Sequence, residues 1–164
     1  MLSAVFSAIS VVILWLGGLL GDLDLTFTAF ASLVVVLALI EMGVKYALFV
    51  YAVTSALCLI LFPTYFVTPM YILCVGIYPI LKYLLEKLPR ALSYLLKLVF
   101  VNAMLFLLIF LGRRLFGVEE DAALWIVLIL GNVAFLLFDY AVAGLSVIYE
   151  GKIRKMLGIQ KMLK

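Results

Sequence analysis

Residues 25–62 read LTFTAFASLVVVLALIEMGVKYALFVYAVTSALCLILF. As a single helix this stretch would be about 57 Å long, nearly twice the ~30 Å hydrocarbon layer of a bilayer. Glu41 and Lys45 flank Gly43 near its middle. A charge at mid-bilayer is costly, whereas a charge in a turn at the membrane surface is not. The stretch therefore divides into two spans, Leu25–Ile40 and Tyr46–Phe62, joined by a tight connection over Glu41–Lys45.

The same logic extends in both directions. Leu2–Leu20 carries no charged side chain and forms the first span, closed by a short polar turn at Gly21–Asp24. Apolar residues run from Met1 without a basic leader, so this segment reads as a spanning helix and not as a cleaved signal peptide. Pro63 and Pro69 bracket an uncharged loop. Met70–Leu85 is the fourth span, and Pro79 predicts a kink within it. Leu92–Leu111 is the fifth, and Gly112–Asp121 is a mixed-charge loop. The sixth runs from near Ala122 to about Tyr149, longer than a crossing needs, which implies tilt or projection from the bilayer. The expected architecture is all-α: a polytopic membrane protein, a bundle of six transmembrane helices over residues 1–149. A basic amphipathic cytoplasmic tail covers 150–164.

Composition agrees. Of 164 residues, 69% are hydrophobic and 13% charged, where soluble domains are about half apolar and a quarter charged. A soluble chain of this size could not hide so much apolar surface. An ordinary soluble domain, a disordered chain and a nucleic-acid binder are excluded. There is no histidine, which removes the commonest general base and metal ligand and any Ser-His or Cys-His nucleophile pair. No metal or cofactor motif is present, and an enzyme is not expected. Cys58 and Cys74 lie in apolar runs and read as small packing residues.

Basic residues set the expected orientation. Six spans place both termini on one side, with Lys45, then Lys82, Lys87, Arg90 and Lys97, then Lys152, Arg154, Lys155, Lys161 and Lys164. The other side holds only Arg113 and Arg114, offset by Glu119, Glu120 and Asp121. This asymmetry puts both termini in the cytoplasm of a cell-membrane protein. Lys82 and Lys97 are expected to snorkel to the headgroups, with residues 81–98 partly in the interface. The tail fits a short helix on an anionic leaflet or a docking surface for a partner.

Polar residues inside spans are the candidates for function. Asp139 is the one acidic residue deep in a span and needs a partner, water or a proton. Asn132 and Ser146 lie seven positions on either side of it, on one inward face, and Asn102 of the fifth span is placed to join them. Asp139 is then either a structural hydrogen-bonding residue, protonated or paired with Lys97 or Lys82, or a ligand-binding or proton-carrying group. An outward pocket lined by Trp15, Asp22, Asp24, Tyr71, Trp125 and Asn132 is a further arrangement the sequence permits. Close helix packing in lipid uses small residues. Ala4 and Ala8, Ser3 and Ser7, and Ala52 and Ala56 are spaced for it, either within the chain or against a partner subunit.

Six helices, cytoplasmic termini and the Ala4-x-x-x-Ala8 pair resemble the substrate-binding S component of an energy-coupling-factor (ECF) vitamin transporter. The stretch GDLDLTFTAFASLVVVLALIEMGVKYALFVY, residues 21–51, is similar in character to such proteins. The resemblance implies that Ala4 and Ala8 contact a transmembrane coupling subunit that carries two ATPases. It also implies that a vitamin-like small molecule is bound from outside and delivered by reorientation in the membrane. No ligand residues carry over. The alternative is a non-catalytic membrane scaffold similar in size and span count to the cell-shape protein MreD, although the glycine-aspartate helix motif expected there is missing.

Overall fold

A computed structural model describes residues 2–21, 23–115 and 124–149. Among them every regular element is helical. Six helices are long and apolar enough to cross a membrane: α1 (Leu2–Leu20), α2 (Asp24–Met42), α3 (Val44–Leu61), α4 (Val67–Leu85), α5 (Arg90–Leu115) and α6 (Leu124–Ile148). The tail, Asp22, Glu119, Glu120 and Asp121 lie outside the described residues, as does the side chain of Trp125.

The α2–α3 connection is tighter than the sequence suggests. Glu41 and Met42 remain helical, and Gly43 alone reverses the chain at φ 85° and ψ 178°. Its N–H donates to the Leu39 carbonyl (3.0 Å) and its own carbonyl accepts from the Ala47 N–H (3.1 Å). One residue thus closes α2 and opens α3. A side chain at that positive φ would be strained, so glycine is required. Charged residues at a helix end do not unwind it, which is why the break is shorter than the Glu41–Lys45 segment.

α4 begins at Val67, three residues before the expected Met70. Pro69 falls in its first turn, where a missing N–H costs nothing. The kink expected at Pro79 is distributed over a wider region. Val67–Met70 is α-helical, Tyr71–Val75 forms a π turn, and Tyr78–Leu85 is α-helical again with Pro79 in its opening turn. The Gly76 N–H donates to the Tyr71 carbonyl at 2.8 Å, a bond spanning five residues. Proline offers no N–H to the carbonyl four residues back, and the chain answers with a π turn. Gly76 leaves the space: a Cβ there would lie 2.7 Å from the Tyr71 carbonyl oxygen and 2.8 Å from its ring.

α5 is longer at both ends than Leu92–Leu111, so Gly112–Leu115 are helical and not loop. Arg114 near its C-terminus carries the charge that a helix end favours. α2 is the central element. It contacts α1, α3, α4 and α6. The main core gathers Leu14, Ala31, Val35, Ala38, Ala47, Val50, Cys58, Val67 and Tyr71 from the first four helices. Cys58 and Cys74 are free thiols, Cys58 fully buried and Cys74 half-buried. α6 is peripheral: 6% of Leu128–Val147 is buried, against 39% of Asp24–Met42.

The small residues of α1 divide between two faces. Ser7 and Ser10 are buried, and the Ser7 hydroxyl donates to the Ser3 carbonyl at 3.0 Å. Ala4 and Ala8 are exposed on the outside of the bundle, as are Ala52 and Ala56 on α3.

Candidate functional site

Asp139 on α6 is the centre of an ionic cluster that joins three helices. α4 supplies Tyr78 and Lys82, and Glu86 caps its C-terminus; intervals of four place the three on one face. α5 supplies Lys97. Lys82 Nζ lies 2.6 Å from Asp139 Oδ1 and also donates to the Asp139 backbone carbonyl at 2.7 Å. Lys97 Nζ lies 3.4 Å from the same carboxylate oxygen and 3.3 Å from Glu86 Oε1. Lys82 reaches Glu86 at 3.8 Å. The Tyr78 hydroxyl donates to Asp139 Oδ1. Its ring is wedged between two phenylalanines of α6, edge-on to Phe135 at 4.8 Å and tilted against Phe138 at 5.8 Å.

Burial corrects one expectation. Lys82 and Lys97 do not snorkel to the headgroups. They are 6% and 5% exposed and turn inward onto Asp139. A half-buried carboxylate attracts the nearest cations, and the four-carbon stems of both lysines reach it from adjacent helices. Of the pairings expected for Asp139, the structure shows both, with Lys82 and with Lys97. Two formal positive charges face two formal negative ones, Asp139 inside and Glu86 at the exposed edge, so the four side chains together carry no net charge. Removing one member of such a set leaves a buried charge unmatched, which costs about 3–5 kcal/mol.

Asn102 and Asn132 form a separate unit. Each side-chain amide donates to the other's oxygen, at 3.1 Å from Asn102 and 3.0 Å from Asn132. Each also donates to its own helix, Asn102 to the Leu98 carbonyl at 2.9 Å and Asn132 to the Leu128 carbonyl at 2.8 Å. All four N–H groups of the pair are thereby used. Sequence reasoning placed Asn102, Asn132, Asp139 and Ser146 together. The structure brings the two asparagines into contact and gives Asp139 other partners, because seven residues advance a helix by about 10 Å, beyond hydrogen-bond reach. The Ser146 hydroxyl donates to the Val142 carbonyl at 2.9 Å within its own helix.

Members of the expected outward pocket have different surroundings. Trp15 is exposed, Asn132 is paired with Asn102, and Tyr71 is fully buried. Tyr71 packs against Tyr51, whose hydroxyl donates to the Ile72 carbonyl at 2.7 Å and ties α3 to the π turn. Tyr78 is the functional-site residue that sequence reasoning missed. Its signal was present in the Tyr78, Lys82, Glu86 spacing, which aims a phenol along the same face as the two charges.

Comparison of the chain with protein-family models, with curated proteins and with solved structures finds no match. The architecture, the exposed Ala4 and Ala8, the ionic cluster and the asparagine pair are therefore the grounds on which function is argued.

Proposed function

We propose that the chain is an integral membrane substrate-binding subunit of a micronutrient (vitamin-like) uptake transporter, itself non-catalytic. It would sit in the cell membrane with both termini cytoplasmic, the side that ten of its twelve basic residues select. One observation carries the reading: Ala4 and Ala8 stand exposed on α1 while Ser7 and Ser10 of the same helix are buried against the bundle. Two methyl side chains one turn apart form a shallow strip on which a foreign helix can pack closely. The resemblance to ECF S components assigns that strip to a transmembrane coupling subunit driven by ATPases.

The test is assembly together with retention of a solute. Chain purified in mild detergent should carry a small molecule of a few hundred daltons, visible in native mass spectra. Replacing Ala4 and Ala8 with Trp should abolish co-purification of a coupling subunit and its ATPase activity while the small molecule is kept. Unchanged assembly in the double variant, or an empty chain, overturns the proposal.

A second reading, a membrane scaffold of the MreD type, is favoured by a different observation. Asn102 and Asn132 satisfy each other, and Asp139 is paired with Lys82 and Lys97, so none of the three requires a ligand. Under that reading the chain is empty and co-purifies with cytoskeletal or cell-wall proteins.

A further inference from the structure

At the start of α5 lies a cavity of about 240 Å³, lined by Glu86, Leu88, Arg90, Ser93, Tyr94 and Lys97. It shares Glu86 and Lys97 with the ionic cluster and adds Arg90, Ser93 and Tyr94, which the cluster does not use. Three features converge there. Arg90 is exposed and makes no ion pair among the described residues. Ser93 is 5% exposed, lines the cavity, and its hydroxyl has no hydrogen-bond partner among the described residues. The cavity also faces the first turn of a 26-residue helix, where backbone N–H groups lack intrahelical partners and the dipole is positive.

We propose that this cavity binds a phosphate group at the membrane surface. The guanidinium of Arg90 offers a planar fork matched to phosphate oxygens. The Ser93 hydroxyl supplies a further donor, and buried Lys97 closes the back of the site. The charge count agrees. Lys82 and Lys97 are matched by Asp139 and Glu86, which leaves the charge of Arg90 uncompensated. The Glu86 carboxylate does not repel an anion strongly, because Lys97 and Lys82 already hold it at 3.3 and 3.8 Å.

Size selects the ligand class. Cavities for drug-sized molecules run from about 300 to 1,000 Å³. This one is smaller and suits a headgroup. Leu92, Tyr94 and Leu95 are exposed beside it, an apolar surface on which acyl chains can lie. The same phosphate chemistry is offered by an anionic phospholipid and by a soluble phosphate, and the lipid fits this surround. The site stands apart from the transport reading and does not depend on it.

The experiment uses the full chain in mixed micelles of phosphatidylglycerol and phosphatidylcholine, with retained lipid counted by native mass spectrometry. Phosphatidylglycerol should be retained preferentially. The double variant Arg90→Gln with Ser93→Ala should lower that retention roughly five-fold, the worth of one cation at a membrane surface. Lys87→Gln serves as the control. Lys87 sits over the Tyr83 ring at 4.9 Å and does not line the cavity, so retention should be unchanged. If the double variant melts early, Arg90→Gln alone carries the comparison, since that side chain is exposed. A parallel arm adds millimolar inorganic phosphate. A melting shift in wild type that is lost in the variant, with equal retention of both lipids, keeps the site and assigns it to a soluble phosphate. Equal losses in the Lys87 and Arg90 variants mean diffuse surface charge and overturn the proposal. So does the absence of any difference from wild type in both arms.

Discussion

The two halves of the molecule are held together by different forces. α1, α2 and α3 meet through alanine, valine and buried hydroxyls, with Ala31, Ala38 and Ala47 fully buried. Small side chains let helix backbones approach, and close van der Waals contact supplies the attraction that lipid does not provide through hydrophobicity. α5 and α6 make fewer contacts with their neighbours, and polar groups are prominent in what joins them: the Asp139 cluster and the asparagine pair, beside the Tyr78 ring between Phe135 and Phe138 and Leu105 against Gly131. α4 belongs to both halves, Tyr71 with the first and Tyr78 with the second. Packing cohesion is spread over many atoms and is lost gradually. Ionic cohesion rests on a few groups and is lost at once.

Point changes can break this contrast. The largest effect is expected for Asp139→Leu, which strands Lys82 and Lys97. Thermal melting in detergent should show a loss of about 3–5 kcal/mol. Asp139→Asn keeps a hydrogen-bonding side chain and should express and melt closer to wild type than Leu. Equal behaviour of the two would remove the ionic basis of the second half. Next comes Gly76→Val, where the added atoms meet the Tyr71 carbonyl and ring. Overpacking of that kind costs about 1–3 kcal/mol, and the Tyr51 contact to the π turn should loosen, measurable as faster hydrogen exchange there.

Smaller effects sharpen the comparison. Leu14→Ala in the first half should cost about 1–2 kcal/mol, the cavity contribution alone, because lipid solvates the leucine of the unpacked helix. Asn102→Leu should cost least, about 0.6 kcal/mol, the average for such bonds in a bilayer protein. A larger loss for Asn102→Leu than for Leu14→Ala would reverse the ranking of the two halves.

Much of the bundle was legible because the apolar runs are long and their ends are marked by charge. Leu2–Leu20 coincides with the first helix, and the reversal near Gly43 was located by Glu41 and Lys45. What was not legible is direction. A lysine two turns from the membrane surface can extend to the headgroups or fold onto a carboxylate, and its own sequence does not distinguish them. Lys82 and Lys97 turned inward because Asp139 stood opposite, a pairing across 57 and 42 residues. Asn102 and Asn132 were correctly placed as neighbours, whereas their separation from Asp139 needed the axial rise. The wide turn before Pro79 was visible only as a kink, since a missing N–H does not say how the chain will compensate.

That wide turn has a consequence for how α4 serves its surroundings. In a straight α-helix Tyr71 and Tyr78, seven positions apart, would point the same way to within about 20°. Here the looser winding between them acts as a swivel, so that one phenol meets Tyr51 on α3 and the other meets Asp139 on α6. A single-residue deletion between Tyr71 and Val75 would take up the extra residue of the wide turn and leave the two rings six positions apart, about 120° around a straight helix, so both fastenings should survive it.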